Sequence, residues 1–233
     1  ESKMTSTLVS RYVLAQSTLE DSLASLLAWK VSEESDEQLA SVQDCMAAVF
    51  AIPRVRHAVV RDIAKILAVD PAVESALQPF LFFKGFHALC VHRVAHELWR
   101  RGGRADASAA LMLQSRVSER FGVDIHPGAK VGAGVMFDHA SGLVIGGTAV
   151  LGDDLYILHA VTLGSTGKPV PAGTQRHPTI GSGASLGAGC TVLGNITVGN
   201  GATVGAGATV TRDVPPGGVV VGVNGLKKQR ARL

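Results

Sequence analysis

Eight histidines are the side chains of this sequence that titrate near neutrality. Imidazole is the group best suited to take a proton from a hydroxyl nucleophile at that pH. Asp138-His139 stands out, because it falls in Phe137-Asp-His-Ala-Ser-Gly142, where neighbouring units carry small, turn-compatible residues. Two readings fit it, a solvent-facing polar pair or an acid–base centre. His87, His92 and His96 fall on one expected helix, where packing or capping suffices, and His126 and His159 fall on turns or in a groove. Three histidines on stacked coils would suit zinc, but no His or Cys set has a metal-ligand arrangement, so no metal is expected. Arg176-His177 lies in an irregular loop, where the general reading of an arginine is a solvated side chain. Asp70-Pro71 has the form of a helix N-cap followed by proline at the first helical position.

The element that must hold these groups repeats every six residues. From Ile125 the units run IHPGAK, VGAGVM, FDHASG, LVIGGT, AVLGDD, LYILHA and VTLGST. After GKPVPAGTQRHPT (167–179) the period resumes with IGSGAS, LGAGCT, VLGNIT, VGNGAT, VGAGAT and VTRDVP. Unit starts are Val, Ile or Leu except at Phe137 and Ala149. A hexapeptide period is the mark of a parallel β-helix, one branched residue per unit pointing inward and small residues turning the chain. The 167–179 excursion cannot fit a face of six and loops out, and such a loop is usually functional.

Glycine divides the chain: three of 27 lie before residue 122. Glycine is costly inside helices, so the first half reads as helical. Helices are expected over 36–50, from Pro53 through Leu67, from about 83 to 101, ended by Gly102-Gly103, and from about 106 to 121. The expected organisation is therefore α+β: a helical domain over 1–122, a β-helix over 123–216 and a tail over 217–233. At 233 residues, 46% hydrophobic and 18% charged, the chain is globular rather than disordered. No apolar run approaches the roughly 18 residues of a bilayer span. The net charge of +3 comes from the tail, which has four Lys+Arg after residue 226, so neither nucleic acid nor membrane is an expected partner. Three widely spaced cysteines suggest free thiols and a reduced compartment, the cytoplasm or, if a transit peptide was removed, an organelle.

DPAVES (70–75), PFLFFKGFHAL (79–89), HRVAHELW (92–99), VDIHPGAK (123–130), DHASG (138–142), VTLGSTGK (161–168), RHPTIG (176–181) and GCTVLGNITVG (189–199) occur in this order. Together, over residues 60–222, they resemble serine O-acetyltransferase, the first enzyme of cysteine synthesis from serine. The resemblance implies a left-handed β-helix behind the helical domain. It implies trimers, often paired into hexamers, with the active site between neighbouring β-helices. Acetyl-CoA would donate to the hydroxyl of L-serine, L-cysteine would compete as feedback inhibitor, and the C-terminal tail would dock on O-acetylserine sulfhydrylase.

By the same resemblance His139 is the catalytic base and Asp124 its orienting carboxylate. Asp124 lies 15 residues earlier, close to one coil of about 18, so a contact between neighbouring coils is expected. Asp70 and Asp138 would hold the serine ammonium, Arg176 its carboxylate, and His177, from the adjacent subunit, would orient it. Acetyl-CoA would lie against Ser165, Thr166, Gly167, Ala188 and Ala206. The sequence departs from the family pattern at Gly147 and Gln175, where acids are usual, at Ser165, in a longer loop, and in a last coil that lacks the usual ending. Transfer to another hydroxyl or amine acceptor, and a non-catalytic scaffold that binds the sulfhydrylase, are the alternative functions.

Overall fold

The computed structural model describes residues 3–32, 35–171 and 173–222. The tail from 223, with its terminal Arg-Ala-Arg-Leu233 and the docking expected of it, lies outside the described residues. Among the described residues seven α-helices, the first continued by a π-helical turn (Ser10–Leu14), precede fourteen short strands: α1 (Lys3–Val9), α2 (Leu19–Val31), α3 (Asp36–Phe50), α4 (Pro53–Val69), α5 (Leu77–Phe82), α6 (Lys84–Arg101) and α7 (Arg104–Phe121). The helix starts have local causes. The side chains of Thr18 and Ser35 accept from the backbone amides of Asp21 and Gln38, and Pro53 sits in the first turn of α4. Gly102 and Gly122, at φ 76° and 67°, end α6 and α7 in backbone that favours glycine.

Asp70 does not open a helix. It ends α4, and its carboxylate accepts from the amide of Ala72 at 2.9 Å in a local turn; the next helix waits until Leu77. Pro71 cannot continue α4, and an Asx turn satisfies the chain end instead.

The strands form a parallel solenoid whose three faces hold five, four and five strands. Its first coil contains β1 (Val123–Ile125), β2 (Lys130–Val131) and β3 (Met136–Phe137), and β4 (Leu143–Ile145) begins the next. The strand Val219–Val220 pairs with Thr203–Val204, so the solenoid continues past the boundary expected at 216.

The register moves the repeat frame. Ile125 pairs with Ile145, twenty residues on, but Ile145 pairs with Leu163, eighteen on. Two residues are therefore inserted at the turn after β3, which carries His139. Beyond it the inward positions are Ile145, Leu151, Ile157 and Leu163, all buried. Ala149 is thus no weak unit start. It is the small buried residue two places earlier, like Ala129, Ala184, Ala202 and Ala208.

The two halves share one core, with α6 buried along most of its length. A buried ion pair fastens them. Arg93 of α6 donates to both carboxylate oxygens of Asp62 of α4 and to the carbonyl of Gly132 at 2.7 Å, while Asp62 accepts from the amide of Val135 at 2.9 Å. Trp99 meets His126 edge to face at 5.1 Å.

Candidate active site

A cavity of about 730 Å³ opens where the helical half meets the first solenoid coils, lined by Asp70, Phe82, Phe83, Lys84, Gly85, Phe137, Asp138, His139, Ser141 and His159. Three of the residues singled out from sequence, Asp70, Asp138 and His139, converge here. The His139 side chain is 75% exposed, and its Nε2 lies 3.8 Å from Oδ1 of Asp138. Its ring meets His159, one coil on, edge to face at 5.8 Å.

The turn holding His139 is strained. His139 and Ala140 have φ of 57° and 59°, the left-handed region, which costs a non-glycine residue about 1–2 kcal/mol. Such strain persists only where the surroundings over-determine the conformation, and it concentrates at functional sites.

Asp138 is held by a residue the sequence reading missed. The hydroxyl of Tyr156 donates to Oδ2 of Asp138 at 2.6 Å. Burial, that hydrogen bond and the charges of Asp138 and Asp70 push the Tyr156 phenol up to about 12, so it stays a donor. The signal was the eighteen-residue spacing, which puts Asp138 and Tyr156 at the same place in their hexapeptide units, although in the twenty-residue coil Tyr156 pairs with Met136.

Arg176 and His177 are elsewhere. His177 is buried against Gly146, where a Cβ would overlap its ring, and its Nδ1 accepts from the amide of Thr148 at 3.1 Å. The hydroxyl of Thr148 in turn accepts from the amides of Arg176 and His177, which fixes the end of the excursion. Burial, then the positive charge of Arg176, lowers the pKa of His177. His126 is lowered by burial against the opposing charge of Asp124.

Asp124 does not meet His139 within the chain. It sits in register with Val144, and its Oδ1 accepts from Nε2 of Gln114 on α7 at 2.6 Å. The coil here is twenty residues long, not eighteen, so the residue stacked on His139 is His159.

The residues therefore fall on two borders of one face. Asp138 and His139 precede β4; Gly146, Thr148 and His177 follow it. On the first border the turns stack in a column. Gly189 donates to the carbonyl of His159 at 3.0 Å and Gly207 to that of Ala188 at 2.8 Å, so His139, His159, Ala188 and Ala206 lie along one edge. Ser165, Thr166 and Gly167 follow the strand Thr162–Gly164, on the second border with Thr148. Among the described residues no group of three His, Cys, Asp or Glu side chains could hold a metal ion.

The family described as serine acetyltransferase, N-terminal, matches residues 1–90, and bacterial transferase hexapeptide (six repeats) matches 177–212. A probable serine acetyltransferase 4 of Oryza sativa subsp. japonica is 50% identical over 211 residues, 90% of this chain and 65% of its own length. A soybean serine acetyltransferase structure complexed with serine superposes with a TM-score of 0.87 at 45% identity, covering 96% of this chain and 89% of that one. The chain belongs to the serine acetyltransferase family. A further family structure, from Brucella abortus strain S19 in complex with coenzyme A, has a TM-score of 0.87 at 38% identity over 94% of this chain and 85% of that one. This chain thus spans less than two thirds of the length of the rice serine acetyltransferase it matches.

Proposed function

We propose that the chain transfers the acetyl group of acetyl-CoA to the hydroxyl of L-serine, giving O-acetyl-L-serine and CoA, the first step of cysteine synthesis. The observation that carries this reading is the cavity in which an exposed imidazole, His139, stands beside two carboxylates, Asp70 and Asp138. The carboxylates suit an ammonium group, the imidazole suits a hydroxyl, and family membership supplies the thioester donor.

In this mechanism Asp70 and Asp138 hold the serine ammonium and aim its hydroxyl at His139. His139 takes the hydroxyl proton as the oxygen attacks the thioester carbonyl. The tetrahedral adduct collapses, the C–S bond breaks, and the imidazolium returns its proton to the departing thiolate. The CoA arm runs along the small residues of the first border, Ala188 and Ala206.

The pocket is completed by a second copy. A cyclic trimer sets the second border of one solenoid against the first border of the next. Arg176 and His177 of one copy then meet the serine carboxylate held by another, and Asp124 orients the imidazole across that interface. Ser165, Thr166 and Gly167 approach CoA from the same side. Trimers pairing into hexamers, competition by L-cysteine and docking of the tail on O-acetylserine sulfhydrylase complete the reading. Among the described residues no helix is long and apolar enough to cross a membrane, and the site of action is the cytoplasm or an organelle.

The test is release of free CoA from acetyl-CoA with serine as acceptor, and identification of the product by mass. Release with a sugar or amine but not with serine would reassign the acceptor. No release with any acceptor, alongside binding to the sulfhydrylase, would make the protein a scaffold.

A further inference from the structure

Two consecutive left-handed residues, His139 and Ala140, put the imidazole at the cavity rim, and something must keep the turn from relaxing. Apart from the bond between Tyr156 and the Asp138 carboxylate, the solenoid holds the turn by backbone bonds. The amides of Ala140, Ser141 and Leu143 donate to the carbonyls of Asp138, His139 and Ala140, and Gly142 donates to Gly122 at 2.7 Å.

The helical half adds two contacts from outside. The ammonium of Lys84 donates to the hydroxyl of Ser141. Gly85, buried in the first turn of α6, approaches so closely that a Cβ there would overlap the carbonyl oxygen of Phe137. Its φ is not left-handed, so glycine serves here for close approach rather than for a turn. The first turn of α6 thus grips the His139 turn at both ends, Phe137 on entry and Ser141 on exit. The helix cannot drift, because Arg93, further along it, is locked to Asp62 and to the carbonyl of Gly132, just upstream of β3.

We propose that the first turn of α6, through Lys84 and Gly85, is a clamp that sets the orientation of His139. Lys84 is on this account a positioning residue, acting through Ser141 rather than on substrate. The helical half then holds the base in register with the acceptor. The inference rests on His139 being the base, and it predicts a change in the turn itself whatever the reaction.

The test uses the full chain with Lys84→Met, Ser141→Ala, the double variant and Lys84→Arg. Two readouts are compared: kcat and KM for serine and acetyl-CoA, and hydrogen exchange of the amides at 140–143. Loss of one hydrogen bond to a charged donor should lower kcat about tenfold in each single variant. The double variant should be no worse than either single, because both remove the same contact. KM for acetyl-CoA should stay unchanged, Lys84→Arg should recover most of the rate, and exchange at 140–143 should quicken about tenfold while α2 and α3 keep theirs.

Unchanged exchange in Lys84→Met overturns the clamp. So does a raised KM for serine in Lys84→Met with Ser141→Ala silent, since Lys84 would then touch substrate. Should the wild type fail to acetylate serine, exchange still decides whether the clamp exists, so the two failures are distinguishable. Gly85→Ala probes the second contact, and if it does not fold the Lys84 and Ser141 variants suffice.

Discussion

Tyr156 and Asp138 form a fixed donor–acceptor pair across two solenoid coils, phenol to carboxylate at 2.6 Å, with the other carboxylate oxygen turned toward His139. The phenol locks the rotation of Asp138, so one oxygen is always presented to the cavity. Tyr156→Phe removes only the hydroxyl. It should raise KM for serine about tenfold, the worth of a hydrogen bond to a charged group, and leave KM for acetyl-CoA alone. Steady-state kinetics with each substrate varied in turn checks this.

His139→Ala should lower kcat by about two to four orders of magnitude, the usual contribution of a positioned general base. The ring is exposed, so its loss leaves no core cavity, and sedimentation should show the same assembly as wild type. Near wild-type turnover would reject His139 as the base.

Much of this was legible in the sequence, for physical reasons. The solenoid shows because its inward position recurs along the chain, and the helices show because glycine is scarce before residue 122. Asp138-His139 shows because a turn of small residues has no packing need for an acid and an imidazole. What stayed hidden depends on register. The two-residue insertion after β3 made Ala149 look like a deviant unit and made Asp124 look one coil from His139. Only the pairing of Ile125 with Ile145 reveals that His159 is the residue stacked on His139. Asp70 was misread as an N-cap because Asp-Pro serves equally well in a turn that ends a helix.

Two buried histidines predict acid sensitivity. Burial lowers His87 to about 4 and His92 to about 3, against an ordinary 6.5. The unfolded chain therefore binds more protons than the native one between those values. Stability is fully present above pH 6.5 and is lost as pH falls through the window, by about 3 kcal/mol per histidine near pH 4. Urea midpoints at pH 7.5 and pH 4.5 should differ accordingly, and His92→Leu should flatten the difference.

The Asp62–Arg93 pair should behave as a buried couple. Asp62→Ala alone leaves a guanidinium in the core and should cost about 3–5 kcal/mol, whereas Asp62→Leu with Arg93→Met should recover much of that. Denaturant unfolding of the two variants tests it. Equal losses in both would mean that the backbone bonds to Gly132 and Val135 carry the junction instead.

β4, three residues long, separates the imidazole on one edge from Arg176 and His177 on the other. If neighbouring copies close each pocket, lesions at the two edges complement one another. Co-expressing an allele altered at His139 with one altered at His177, each inactive alone, should restore a fraction of activity, because some mixed assemblies contain a junction with neither defect. Two alleles damaged on the same edge should never rescue one another.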